Sequence, residues 1–268
     1  MKHFLTLTFL LLATAVHATP NADKCEALWH QLTPQYLSAN PTMAKFEELL
    51  QRWQQTAAEC QNTGVYEYRL AVIYEKLGAD EKADALFRQA AAIPSGYAHL
   101  PQLSILLRDL SQIMKKPGVK AEDFSQIEKG FDELVGKYNE WYAGFEHFAR
   151  LEETLGKYDR AIELAKKAIE LDPTNWSSYK VLTVAYTETG EHLRAIDASG
   201  EAMNLNKNLM ADPKFMLALA MAYAESGQSP MSDQAVGILK KNAPGIEQTD
   251  VFIRVVKKIE TVKAAKHP

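Results

Sequence analysis

The chain has 268 residues, 47 % of them apolar, and 30 Lys+Arg against 34 Asp+Glu give a formal net charge of −4. That balance lacks the basic footprint of a nucleic-acid binder and the polybasic segment that would hold a chain to anionic lipid. The apolar share is enough to core one or two domains or one repeat array.

Met1-Lys2-His3 is a short basic start, followed by the apolar run Phe4 to Ala15 and the small-residue end Val16-His17-Ala18. This layout predicts a secretory signal peptide over 1–18, cleaved after Ala18. A run of about 12 residues is too short to span a bilayer, which takes about 20. The expected location is the periplasm, with secretion as the alternative, and no integral membrane segment after cleavage.

Residues 19–63 read as an N-terminal helical hairpin that caps the array beginning at residue 64, with helices over 24–37 and 42–62 joined by Ser38-Ala39-Asn40-Pro41. Cys25 and Cys60 lie near its open end, and an even pair in an exported chain predicts a disulfide. Two sulfurs with no histidine at ligand spacing would leave zinc half-coordinated. At 1.5 Å per residue the second arm is roughly 7 Å longer than the first, and Pro34 is the residue placed to break helix one and relax the mismatch.

From residue 64 the chain repeats itself. Residues 64–97 carry Leu70-Ala71-x-x-Tyr74, Gly78, Ala83, Phe87, Ala90 and Pro94. Residues 98–141 break the pattern. There Leu103, Leu106, Leu107, Leu110 and Met114, then Phe124, Ile127, Phe131, Leu134 and Tyr138, are spaced as two helices around a Lys116-Pro117-Gly118 break. The stretch reads as a divergent helical hairpin that continues the stack, or alternatively as a divider between two short modules. The unit at 142–175 has Phe145-x-x-Phe148-Ala149, Gly156, Ala161, Ala168 and Pro173. The unit at 176–209 has Tyr179-x-x-Leu182-Thr183, Gly190, Ala195 and Ala202, so each glycine and alanine recurs after 34 residues. Residues 213–246 hold a degenerate copy with Leu219-Ala220-x-x-Tyr223, Gly227 and Pro244, but Ser232 and Leu239 stand at its two helix-B alanine positions. Thr249-Asp250 then starts a helix within 247–268, whose Val251, Ile253, Val255, Val256, Ile259 and Val262 can cap the array; the tail from Ala264 is expected to be disordered.

These large, small, turn-glycine and closing-proline positions resemble the tetratricopeptide-repeat (TPR) superfamily, and the chain looks like an exported bacterial member of it. The resemblance implies an all-α fold, a TPR-like α-solenoid of antiparallel helix pairs between the N-terminal hairpin and the C-terminal capping helix. Small residues let paired helices approach, glycine ends helix A in a left-handed turn, and proline stops helix B. Ala165 and Ser199 depart from the pattern, replacing its bulky helix-B aromatic.

The resemblance also implies a concave groove lined by the first helix of each unit. Carried over by position, it is formed by Tyr68, Val72, Glu75 and Lys76, then Glu146, Arg150 and Glu153, then Lys180, Val184, Thr187 and Glu188, then Leu217 and Met221. The bland alternative for each is an ordinary solvated face or a contact with the neighbouring unit. TPR clamps that grip a chaperone's C-terminal carboxylate carry asparagine where this chain has Val72, Arg150, Val184 or Met221, so that ligand is disfavoured.

No catalytic constellation is present: no Gly-rich phosphate loop, His-Glu-x-x-His, calcium loop or Gly-x-Ser-x-Gly elbow. His30, His99, His147, His192 and His267 are scattered, and no cofactor is expected. The leading expectation is a non-catalytic scaffold or adaptor that binds a peptide or domain of a protein partner. The alternative is a sensor or carrier of a sugar or peptidoglycan fragment, using Trp141, Tyr142 and Tyr97.

Overall fold

The computed structural model describes residues 20–36 and 41–266. The expected signal peptide and residues 38–40 of the hairpin link lie outside them. Every regular element among the described residues is helical, and none is a strand. The chain divides into two compact units, and the division falls between Pro117 and Gly118, within the break read at Lys116-Pro117-Gly118.

The first unit contains α1 (Pro20–Leu32), α2 (Met43–Thr56), α3 (Val65–Lys76), α4 (Asp80–Ala92) and α5 (His99–Met114). Both hairpin helices are shorter than expected at one end. α1 stops at Leu32 and Thr33–Gln35, with Pro34 inside, forms a 3-10 turn; α2 stops at Thr56 and a second 3-10 turn, Ala58–Cys60, comes next. Cys25 and Cys60 have Cα atoms 5.7 Å apart and form a disulfide, within the range such a bridge requires.

An aromatic core lies next to the bridge. Trp53 meets the edge of Trp29 at 5.3 Å and stacks on Tyr66 at 5.8 Å, and its indole N–H donates to the Tyr66 carbonyl. Buried Glu67 accepts from the backbone N–H groups of Asn62 and Gly64 at 2.7 and 3.0 Å, which satisfies the open N-terminus of α3. Ala71, Ala83 and Phe87 seal α3 against α4.

The second unit contains α6 (Ser125–Lys137), α7 (Tyr142–Thr154), α8 (Tyr158–Leu171), α9 (Trp176–Glu188), α10 (His192–Leu205), α11 (Pro213–Glu225), α12 (Ser229–Asn242) and α13 (Asp250–Lys266). Its repeat is visible in the backbone. Gly156 and Gly190 have φ of 74° and 82°. After each, the next N–H reaches five residues back, Lys157 to the Glu152 carbonyl and Glu191 to the Tyr186 carbonyl. This helix-ending motif needs a left-handed residue, and the same bond recurs from Gln228 to Tyr223 and, in the first unit, from Ala79 to Tyr74.

Ala161, Ala168, Ala195 and Ala202 are fully buried between paired helices, as are Ala165 and Ser199. In the degenerate copy Ser232 is equally buried, and its hydroxyl donates to the Ala220 carbonyl at 2.8 Å, so the polar substitution is satisfied. α13 buries Phe252 and Ile259 against α11, with Val255, Val256 and Val262 half-buried. The contact stripe is therefore 252, 255/256, 259 and 262, and Val251 and Ile253, expected on the buried side, are more than half exposed. α13 also runs to Lys266, past the Ala264 where a disordered tail was expected.

Candidate functional site

In the second unit the expected groove positions share faces because helical spacing puts them there. Lys180, Val184, Thr187 and Glu188 fall on one side of α9, and Leu217 and Met221 on one side of α11. With Val251 and Val255 of α13 they line a depression of about 950 Å³. Its floor is Val184, Leu217 and Met221, all buried, so these three contribute a surface already packed against neighbouring helices. Lys180 and Glu188 stand at the rim.

A second, polar pocket of about 510 Å³ adjoins the first, since Lys180 and Lys214 line both. Glu146, Arg150 and Glu153 descend one face of α7 into it, and Tyr142 and Trp176 stand partly exposed at its wall. Ser177 donates to Glu146 at 2.7 Å, Arg150 lies 3.5 Å from the same carboxylate, Lys180 holds Asp212, and Lys214 stands 2.5 Å from Glu153. Thus all nine expected positions of the second unit border these two depressions.

The four expected positions of the first unit are arranged differently. Tyr68 and Val72 are half-buried against the cluster of Ala71, Ala83 and Phe87, Glu75 accepts from Arg108 of α5 at 2.8 Å, and Lys76 is exposed. Among the aromatics considered for a small ligand, Tyr97 belongs to the first unit, where its hydroxyl donates to Asp23. Trp141 and Tyr142 belong to the second, and Tyr142 lines the polar pocket.

Burial pushes the His147 imidazole below its usual range, opposed by Glu146 and reinforced by Arg150. Glu152, on the other side of α7, is pushed up to about 7, first by burial and then by the Glu128 carboxylate, with Lys157 and Arg160 pulling the other way. Sequence reasoning missed Trp176, Lys214 and the α13 wall. Trp176 opens its repeat unit, Lys214 reaches in from the start of α11, and α13 lies outside the repeat pattern. Among the described residues no three His, Cys, Asp or Glu side chains gather as a metal cage, and no helix is long and apolar enough to cross a membrane.

Tetratricopeptide-repeat family models match residues 68–100 and 145–175. No curated protein matches the chain in sequence. Solved structures share the fold. YrrB, described as a TPR protein with an unusual peptide-binding site, superposes with a TM-score of 0.56 at 11 % identity, over 77 % of this chain and 97 % of its own. PilW, a type IV pilus biogenesis factor, gives 0.61 at 14 % identity over 89 % and 100 %, and MamA gives 0.52 at 12 % over 70 % and 93 %. At such identities the likeness establishes the fold alone. With two family matches, helix pairs closed by a recurring glycine turn, and TPR solenoids as structural neighbours, the chain is a member of the tetratricopeptide-repeat superfamily.

Proposed function

We propose that the chain is a non-catalytic scaffold or adaptor that holds a protein partner, as a peptide or a docked domain, on the groove of its second unit. The observation that carries this reading is one face with an apolar floor of Val184, Leu217 and Met221 beside a pocket whose charges are largely paired. Such a surface combines apolar anchorage with polar groups that fix register. The description of YrrB as a peptide binder supports it. Arg150, Val184 and Met221 at the asparagine positions argue against a carboxylate clamp. The disulfide between Cys25 and Cys60 supports an oxidising compartment outside the cytosol, the periplasm or alternatively the medium. Pull-down from the exported fraction with wild type and a Glu146→Ala/Arg150→Ala/Lys180→Ala variant is the test. Loss of one specific partner is expected, and equal recovery of every partner would rule the groove out.

A further inference from the structure

We propose, resting on the groove reading above, that the polar pocket of the second unit receives basic side chains of its partner and that Arg150 and Lys214 occupy their places when the partner is absent. Three acids, Glu146, Glu153 and Asp172, and three cations, Arg150, Lys180 and Lys214, line the pocket. Lys180 is committed to Asp212, while Glu146 and Asp172 are each held by hydrogen bonds. The Glu146 side chain is 12 % exposed and takes the Ser177 hydroxyl. Asp172 accepts from the N–H and hydroxyl of Thr174.

Glu153 is only 8 % exposed, yet its Oε1 has no hydrogen-bond donor. Lys214 Nζ stands 2.5 Å away, but outside the geometry a hydrogen bond requires. Glu153 thus relies on one flexible ammonium for its counter-charge and lines the pocket, where a planar guanidinium can offer it two N–H donors at once. The two cations that answer Glu146 and Glu153 keep their own side chains open to water, Arg150 at 55 % and Lys214 at 52 % exposed. A partner's guanidinium can displace either arm into water and satisfy the carboxylate with paired N–H donors, which a lone ammonium cannot do. Tyr142, one turn before Glu146 on α7, and Trp176, beside Ser177, add ring faces on which a guanidinium stacks.

The spacing narrows the partner further. Glu146 and Glu153 are two turns apart on α7, about 10.5 Å along its axis. In an extended polyproline-II segment, side chains three residues apart share a face about 9 Å apart. The matching motif is therefore a segment with arginine or lysine at i and i+3.

The probe is the capped peptide Ala-Arg-Ala-Pro-Arg-Ala, compared with its form carrying citrulline in place of both arginines, titrated calorimetrically into the full chain. Wild type should bind the arginine peptide and ignore the citrulline one. Glu146→Gln with Glu153→Gln should weaken binding about tenfold or more, the loss of one charge-assisted bond. Lys214→Ala should tighten it, because the competing arm is gone. Circular dichroism of each variant checks the fold, and the opposite signs of the two effects cannot both arise from partial unfolding. Equal binding of the citrulline peptide, indifference to the two glutamines, or weaker binding by Lys214→Ala would each overturn the proposal. If the peptide fails while pull-down still depends on Glu146, Arg150 and Lys180, the groove reading stands and the basic partner falls. If the peptide binds but pull-down is unchanged, the groove reading fails and the cation pocket remains.

Discussion

Replacing Glu152 by glutamine should stabilise the second unit above neutral pH and change little in mild acid. Glu152 is 2 % exposed, its Oε2 has no hydrogen-bond partner, and the Glu128 carboxylate of α6 is its acidic neighbour. Lys157 pairs with Glu128, Arg160 bonds Asp132 at 3.1 Å, and both cations moderate the crowding. Burial and Glu128 raise the Glu152 carboxyl from 4.5 to about 7. The folded state therefore holds a proton that the unfolded chain releases near 4.5. That contribution is fully present below the unfolded value and is lost as pH rises through about 7. At 1.36 kcal/mol per unit the full shift corresponds to about 3 kcal/mol; with Lys157 half-exposed at the edge of the cluster, screening by water brings the expectation to about 1.5 kcal/mol. Glutamine keeps the shape and a donor toward Glu128 without the charge. Urea unfolding of both proteins, followed by hydrogen exchange of the α7 amides, should give equal stability at about pH 4 and a variant more stable by about 1.5 kcal/mol at about pH 8. A difference that does not vary with pH, or one favouring wild type at high pH, would refute the reasoning.

The packing sets three further outcomes. Cys25→Ser with Cys60→Ser opens a bridge with a sequence separation of 35 and should cost the first unit about 3–4 kcal/mol, read from urea unfolding with and without reductant; reductant should affect only wild type. Gly190→Ala places a side chain at φ 82° with open space around it, so backbone strain alone should cost about 1 kcal/mol. Gly200→Ala, inside α10 and equally uncrowded, should stabilise by about 0.5–1 kcal/mol, and paired melting curves should move in opposite directions. Phe252→Ala empties the main contact of α13 with α11 and should cost about 3–5 kcal/mol, with exchange protection lost first in α13.

Much of the fold was legible because its signals are local. A glycine that ends a helix, an alanine that lets two helices close, and a proline that stops one act within a few residues, and 34-residue recurrence made them readable at Gly156 and Gly190. The spacing of Val251 to Val262 gave α13 its existence but not its face. Phe252 wins the interior because it fills space against α11, which is a tertiary choice. The arms of the Cys25–Cys60 hairpin were misjudged in length because two 3-10 turns end the helices early, and helical periodicity carries no signal for such a turn. In the site, the α7, α9 and α11 faces followed from repeat position. The first-unit positions were exposed by the same rule, yet Arg108 of α5 pairs with Glu75 and Val72 packs on the cluster of Ala71, Ala83 and Phe87. Trp176 and Lys214 could not be found from groove positions, because long side chains reach in from helix starts.

The bridge between Cys25 and Cys60 is short in sequence, and that fixes when it can form. Both sulfurs are available once the first 60 residues have left the machinery that makes or moves the chain, before any tetratricopeptide pair from α7 onward exists. The aromatic knot of Trp29, Trp53 and Tyr66 can then set beside a covalent clasp, and α3 has a finished wall to grow on. A chain kept reduced would have to close the same hairpin by packing alone, without the covalent link that narrows its unfolded ensemble.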